Sequence, residues 1–274
     1  VSAAAPAPVP LALAFEDVRL QVGLREILRG VTLGLRRGEM LALAGPNGSG
    51  KTTLLRVASG VLPATGGVVR VSGRPTASYS RRELAREMAV VPQDAHIAFP
   101  FRAGEVVLMG RSPHLGPLGF ETAADLRVAE EAMARVGIAA LAERSVLDLS
   151  GGERQLVLVA RALTQQAGIL LMDEPTAHLD LRHRIVVLDR VREFVAAGGS
   201  ALVVSHDLTL AARTCDRIAL LREGRLVATG APADAITPDH LRAAFGIEAD
   251  VLAAPDGSPL VVPCASEARQ RGAG

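Results

Sequence analysis

Lysine is almost missing from this chain of 274 residues, whose 30 basic residues include a single lysine, Lys51. Asparagine is equally scarce, with Asn47 alone. Both residues use A-rich codons, so GC-biased coding accounts for the shortage, and arginine stands wherever any cation would serve. A lysine kept against that bias marks a place where a compact ammonium is needed and a planar guanidinium does not fit. Aromatic residues are few, with no tryptophan and one tyrosine. With a net charge of only +1 and no basic block, this excludes the basic, aromatic-studded face of a nucleic-acid binder. The two cysteines, Cys215 and Cys264, lack metal-ligand spacing and read as free thiols of a reducing compartment. No apolar run approaches the roughly 18 residues that cross a bilayer. The opening "VSAAAPAPVP" lacks the basic end and long apolar stretch of a secretory signal and reads as a flexible tail. These absences leave a soluble, cytoplasmic globular chain of one domain, with room for a subdomain.

What is present begins around the lone lysine. Gly45-Pro46-Asn47-Gly48-Ser49-Gly50-Lys51-Thr52, followed by Thr53, fits the phosphate-binding pattern G-x-x-x-x-G-K-[ST]. The preceding "EMLALA" has the continuous apolar character of a buried strand, and "TTLLRVASG" has helical spacing. Strand, glycine loop and helix are the context the pattern needs. Glycines let backbone N–H groups turn inward around phosphate oxygens, and the helix N-terminus adds favourable partial charge. Lys51 is expected to reach the β- and γ-phosphates, and the Thr52 hydroxyl to hold Mg²⁺.

Three further apolar runs end in polar residues. "GILLMDEP" leads to Asp173 and Glu174, "SALVVSHD" to His206 and Asp207, and "AVVPQD" to Gln93. In parallel sheets the carboxyl ends of strands are where ligands sit. Asp173 is placed to bind Mg²⁺ through water, and Glu174 to orient and deprotonate the attacking water. His206 is expected at the γ-phosphate or that water, Gln93 at the metal or the water, and Asp207 as a helix cap. Alone, an acidic pair usually caps a turn, a histidine at a strand end is usually structural, and Gln93 means nothing. Downstream of a P-loop the set gains specificity.

In "LDLSGGERQLVLVARAL", Ser150 and Glu153 form an S-x-x-E capping box ahead of an apolar helical face. That leaves Gly151 and Gly152 unexplained, because two glycines at a capped helix start make an open anion site. Here the chain resembles the nucleotide-binding subunits of ABC transporters. "LSGGE" is similar to their LSGGQ signature, with Glu153 for the usual glutamine, and the P-loop, Gln93, Asp173-Glu174, "TAHLD" and "SHD" follow in the family order.

The resemblance implies an α/β P-loop NTPase (RecA-like) core with an N-terminal antiparallel β subdomain and an inserted α-helical subdomain. The expected divisions are a flexible tail at 1–10 and an ABC ATPase domain at 11–240. Within that domain, 11–93 and 166–240 form the core with the β subdomain, and 94–165 the helical subdomain. A C-terminal extension at 241–274 carries a small hairpin around Pro255-Asp256-Gly257 and a flexible end. The resemblance further implies a head-to-tail homodimer sandwiching two ATPs with Mg²⁺. Ser150, Gly151 and Gly152 of one copy would then meet the γ-phosphate held by Lys51 of the other, and Asp180 would cross the dimer. Besides Glu153, one departure from the family matters: Val22 stands where an aromatic commonly stacks on the adenine, which leaves acceptance of GTP open.

"GRSPH" in the helical subdomain, the tail "FGIEADVLAAPDGSPLVVPCA" and His178 of "PTAHLD" resemble importer ATPases for iron siderophores, haem and cobalamin. His114 and Pro117 also have plain readings, as a helix-surface residue and a helix breaker. The import reading implies two transmembrane permease subunits and, indirectly, a substrate-binding protein, with this chain peripheral on the cytoplasmic face of the membrane. The alternatives are the ATPase of another ABC transporter, such as an exporter, and a soluble non-transport ABC ATPase. The long coiled-coil insertion of repair ATPases and the second cassette of ribosome-acting ones are both missing from this sequence.

Overall fold

The computed structural model describes residues 10–93, 99–116, 119–177 and 179–264. In chain order the elements are β1 (Leu11–Val22), β2 (Arg25–Arg36), β3 (Met40–Ala44), α1 (Lys51–Ala58), β4 (Gly66–Val71), β5 (Arg74–Pro75), α2 (Arg81–Glu87) and β6 (Met88–Val91). Then come α3 (Ala103–Leu108), α4 (Ala123–Arg135), α5 (Gly151–Thr164), β7 (Ile169–Asp173), α6 (Leu181–Ala196), β8 (Ser200–Val204) and α7 (Leu208–Thr214). The chain closes with β9 (Arg217–Arg222), β10 (Arg225–Gly230), α8 (Pro232–Ala235), α9 (Pro238–Phe245), β11 (Ala249–Ala253) and β12 (Pro259–Pro263).

The central sheet has the order β10-β9-β3-β8-β7-β6, parallel throughout except for the antiparallel edge strand β10. Its inner strands are apolar through their middles, with polar residues only at strand ends such as Ser200, Asp173, Arg217 and Arg222, because both faces are covered. Along β3 the side chains alternate: Met40, Ala42 and Ala44 enter one core with α5 and α6, while Leu41 and Leu43 enter a second core with β1, β2 and α1. The same division holds in β7, where Leu170 and Met172 face one way and Ile169 and Leu171 the other. A four-stranded antiparallel sheet, β2-β1-β4-β5, covers the second core. This is the α/β arrangement expected, with an antiparallel β subdomain and a helical insertion.

The helical insertion is stapled to the core by "GRSPH". Arg111, buried, donates from Nε to Asp125 Oδ1 at 2.8 Å and from Nη1 to the Thr164 carbonyl at 3.0 Å and Gln166 Oε1 at 2.7 Å. The Thr122 hydroxyl, and then Arg111, hold the Asp125 carboxyl well below the usual carboxylate range. The Pro113 carbonyl accepts from Arg82 and Arg86 of α2, both at 2.9 Å. His114 lies in a turn, with Nε2 2.8 Å from the Gln165 carbonyl, so the helix-surface reading of it is corrected. A buried guanidinium and a ring bonded to a helix end are structural uses of those residues. Pro117 and His178 lie outside the described residues, as do 1–9 and 265–274.

The hairpin β11–β12 forms around Pro255–Gly257 as expected, and Arg213 of α7 ties it down through Asp256 at 3.0 Å. The expected division after residue 240 falls inside α9, whose buried Leu241 and Ala244 join the main core, so we propose that α9 belongs wholly to the core. Both cysteines are free thiols; burial pushes Cys215 up to about 12, while Cys264 is exposed. Among the described residues no helix is long and apolar enough to cross a membrane.

Candidate active site

Parallel register explains how four distant segments meet. Leu43 of β3 pairs with Val204 of β8, Val204 with Asp173 of β7, and Met172 with Val91 of β6. The residues just past these strand ends are therefore neighbours along one sheet edge: the glycine loop, His206, Glu174 and Gln93. They share a cleft of about 700 Å³ with Asn47, Gly48, Gly50, Lys51, Thr52, Thr53 and Ala177.

The loop between β3 and α1 is tight. Gly45 has φ 154°, and a Cβ there would lie 2.0 Å from the Leu221 carbonyl oxygen, so no other residue fits. Lys51 is 5% exposed and donates from Nζ to the carbonyls of Gly45 at 2.8 Å and Pro46 at 2.9 Å. Burial lowers its pKa, opposed by the charges of Glu174 and Asp173. Ser49 is buried, and its hydroxyl has no hydrogen-bond partner among the described residues.

Thr52 Oγ1 donates to Asp173 Oδ1 at 3.1 Å. Burial raises the Asp173 pKa, with the Thr52 bond opposing and the Glu174 charge adding to the rise. A buried carboxylate bonded to a hydroxyl, with the Gln93 amide lining the same cleft as that hydroxyl, offers oxygen donors of the kind Mg²⁺ takes when phosphates complete its shell. The residues fit that ion.

Glu174 holds φ 50°, a left-handed conformation that a glutamate adopts only under constraint. Both its oxygens are engaged: Oε2 accepts from Gln93 Nε2 at 3.0 Å, and Oε1 lies 2.5 Å from His206 Nε2. Asp207 caps α7, accepting the Leu210 N–H at 2.8 Å, as expected. Gln93, Glu174 and His206, read separately from the sequence, thus form one connected unit.

Ser150, Gly151, Gly152 and Asp180 do not line this cleft. Ser150 caps α5 in a full capping box with Glu153, whose acid form the Ser150 N–H disfavours. Gly151 is exposed with open space around it. Asp180 caps α6 through the His183 N–H at 2.8 Å. Val22, expected where an aromatic commonly stacks on the adenine, is 58% exposed and does not line this cleft. Arg25 and Ile27, at the start of β2, line the cleft instead. Sequence reasoning missed both. The signal available was their position across the hairpin, where Arg25 pairs with Val22.

Residues 28–177 match the family model for the ABC transporter. The chain belongs to the ABC transporter family. This ABC ATPase is 47% identical to the hemin import ATP-binding protein HmuV of Streptomyces coelicolor over 258 residues, 94% of this chain and 91% of that protein. It is 45% identical to the cobalamin import ATP-binding protein BtuD of Halobacterium salinarum over 86% of this chain, spanning 60% of that longer protein. Its fold matches a structure described as an inward-facing conformation of a metal-chelate type ABC transporter. The TM-score is 0.82 at 26% identity, covering 94% of this chain and 99% of that one.

Proposed function

We propose that this chain is the ATP-hydrolysing subunit of an importer for metal chelates: ferric siderophore, haem or cobalamin. The observation that carries the hydrolytic part is the Glu174 carboxylate, fixed at both oxygens by Gln93 and His206 in the cleft that holds Lys51. The likeness to hemin and cobalamin import ATPases supports the choice of cargo class.

In this reading the glycine loop and Lys51 hold the phosphates, and Thr52, Asp173 and Gln93 hold Mg²⁺. That ion supplies charge neutralisation across the β- and γ-phosphates when bound. Glu174 orients a water and takes its proton, while His206 fixes the carboxylate and faces the γ-phosphate. Ser150, Gly151, Gly152 and Asp180 act across a head-to-tail dimer, which accounts for their position outside the cleft of their own chain. Two permease subunits present a cytoplasmic helix each to the groove between the Gln93 segment and the helical subdomain. Phe99 and Phe101, edge-to-face at 6.1 Å and both exposed, are our candidates for apolar contacts to those helices. A substrate-binding protein completes the importer indirectly.

Arg25 is our candidate for the nucleobase contact. Its side chain lines the cleft and makes no ion pair or hydrogen bond among the described residues, and a guanidinium plane stacks on either purine. Arg25→Ala should raise the KM for ATP about tenfold with kcat nearly unchanged, in line with a cation–π contact of about 0.5–2 kcal/mol. ATP and GTP should differ by less than about tenfold in kcat/KM in the unmodified protein, because stacking does not read the base edge. Steady-state kinetics with both nucleotides checks this; an unchanged KM in Arg25→Ala removes the contact.

The test of the whole reading is capture of tagged Glu174→Gln protein from its own cell membranes with ATP, followed by mass spectrometry. A polytopic permease of the metal-chelate type is expected. An exporter permease or a soluble partner would overturn import and leave the ATPase chemistry standing.

A further inference from the structure

The neighbour of Gly152 within its own chain is a histidine ring. A Cβ built on Gly152 would lie 2.7 Å from both Cγ and Cδ2 of His183 and 2.9 Å from its Nδ1, closer than such atoms ever approach. The imidazole is therefore packed on the backbone of the first turn of α5. The same ring reaches Asp180: Nδ1 is 2.8 Å from Asp180 Oδ1, the oxygen that also accepts the His183 N–H at 2.8 Å. These bonds hold the Asp180 carboxyl below its ordinary pKa, so it is an ionised acceptor and Nδ1 carries the proton. The charged groups around the ring are Asp180 and Arg182 from its own turn, and Glu153 of α5, which pairs with Arg144 at 3.8 Å.

We propose that His183 is a positioning residue of the ATP site, a strut that sets Gly151–Gly152 at a fixed distance from Asp180. The inference rests on the reading that these glycines and Asp180 meet the nucleotide across a dimer. The hydrogen bonds between Ser150 and Glu153 stay within the first turn of α5, and the Glu153–Arg144 pair at 3.8 Å stays within the helical insertion. The His183 ring, packed on Gly152 and bonded to Asp180, ties that turn to the first turn of α6, an element of the core. Without it, the glycines keep their conformation and lose their place. It also gives Gly152 a second reason to be glycine: a methyl at 152 meets the ring of its own chain before any ligand arrives.

The experiment is a double-mutant cycle on the full chain, reading kcat, KM and the affinity of the isolated protein for a fluorescent ATP analogue. Displacing a positioning group by about 1 Å costs up to about a hundredfold. His183→Ala should lower kcat about tenfold and leave analogue affinity within about twofold, since Lys51 and Arg25 are untouched. Gly152→Ala should lose at least about a hundredfold, and Gly152→Ala with His183→Ala should turn over at least about tenfold faster than Gly152→Ala alone. A double variant as inactive as Gly152→Ala overturns the strut. Full activity of Gly152→Ala would instead sink the dimer reading beneath it, and the strut with it.

Should Gly152→Ala not fold, His183→Asn decides, because its amide restores a donor to Asp180 in nearly the place of Nδ1. Turnover of His183→Asn at about half the unmodified rate or better, with His183→Ala about fivefold below that, supports the strut. Equal turnover in His183→Ala, His183→Asn and the unmodified chain overturns it.

Discussion

Glu174→Gln should lower ATP turnover by at least about a hundredfold, within the range of about 10²–10⁴ that a general base contributes, while ATP still binds. The substitution keeps the shape and changes two things. A carboxylate that can take a proton becomes an amide that cannot. One of the two oxygens also becomes an NH₂, so one of the contacts, to Gln93 at 3.0 Å or to His206 at 2.5 Å, must reverse its direction by an amide flip or a change of tautomer. Binding is spared because the loop, Lys51 and Thr52 make no hydrogen bond to Glu174; Thr52 bonds Asp173 instead. Turnover and nucleotide affinity measured together separate the two effects. With hydrolysis stopped, the closed dimer should persist, so size-exclusion chromatography in ATP should show a species of twice the chain mass. Monomer in saturating ATP would remove the sandwich.

The parts of this site that were legible in the sequence are those encoded within a few residues. The glycine loop announces itself because a tight backbone turn and an inward ammonium need particular residues in sequence, and Gly45 bears this out with φ 154°. Asp207 and Ser150 were readable as caps for the same reason, since a cap bonds its own helix three residues on. The sheet order was not readable. Nothing within "AVVPQD", "GILLMDEP" or "SALVVSHD" says that Gln93 and His206 flank Glu174; the parallel pairing of β6, β7 and β8 decides it, across gaps of 81 and 32 residues. The antiparallel sheet came from family likeness and not from periodicity. Val22 and Arg25 illustrate the limit: they pair across the hairpin, and the packing of β2 against the loop at Gly50 sets which of them lines the cleft. His183 gave no signal, because a histidine inside an amphipathic helix looks like any half-buried surface residue. "GRSPH" was legible as a likeness, and the structure shows its Arg111 and His114 spent on holding the helical insertion.

Lys51→Arg should cost at least about a hundredfold in turnover, comparable to removing a main transition-state donor, about 10²–10³, although the charge is retained. The Lys51 ammonium sits between two carbonyls of its own loop, at 2.8 Å from Gly45 and 2.9 Å from Pro46, and is 5% exposed. A guanidinium is longer, planar and carries its five donors in a fixed fork, so it cannot take a pocket shaped around a point charge. The loop has no slack to give: Gly45 is already against the Leu221 carbonyl, and the Ser49 carbonyl accepts from the Gly224 N–H at 2.9 Å. Burial also works against the charge here, lowering the Lys51 pKa. A lysine so lowered holds its proton at a cost to the folded state that is greatest below its folded pKa and fades as pH rises through that value. Bound phosphates offset the cost, and ATP should therefore raise the melting temperature of the unmodified protein by linkage, and raise that of Lys51→Arg much less. Lys51→Ala sets the baseline. If Lys51→Arg turns over no faster than Lys51→Ala, shape and not charge is what the site demands, and the one lysine among 30 basic residues is explained. If Lys51→Arg works normally, any cation would serve, and the codon bias that replaced lysine everywhere else has no reason to have stopped at position 51.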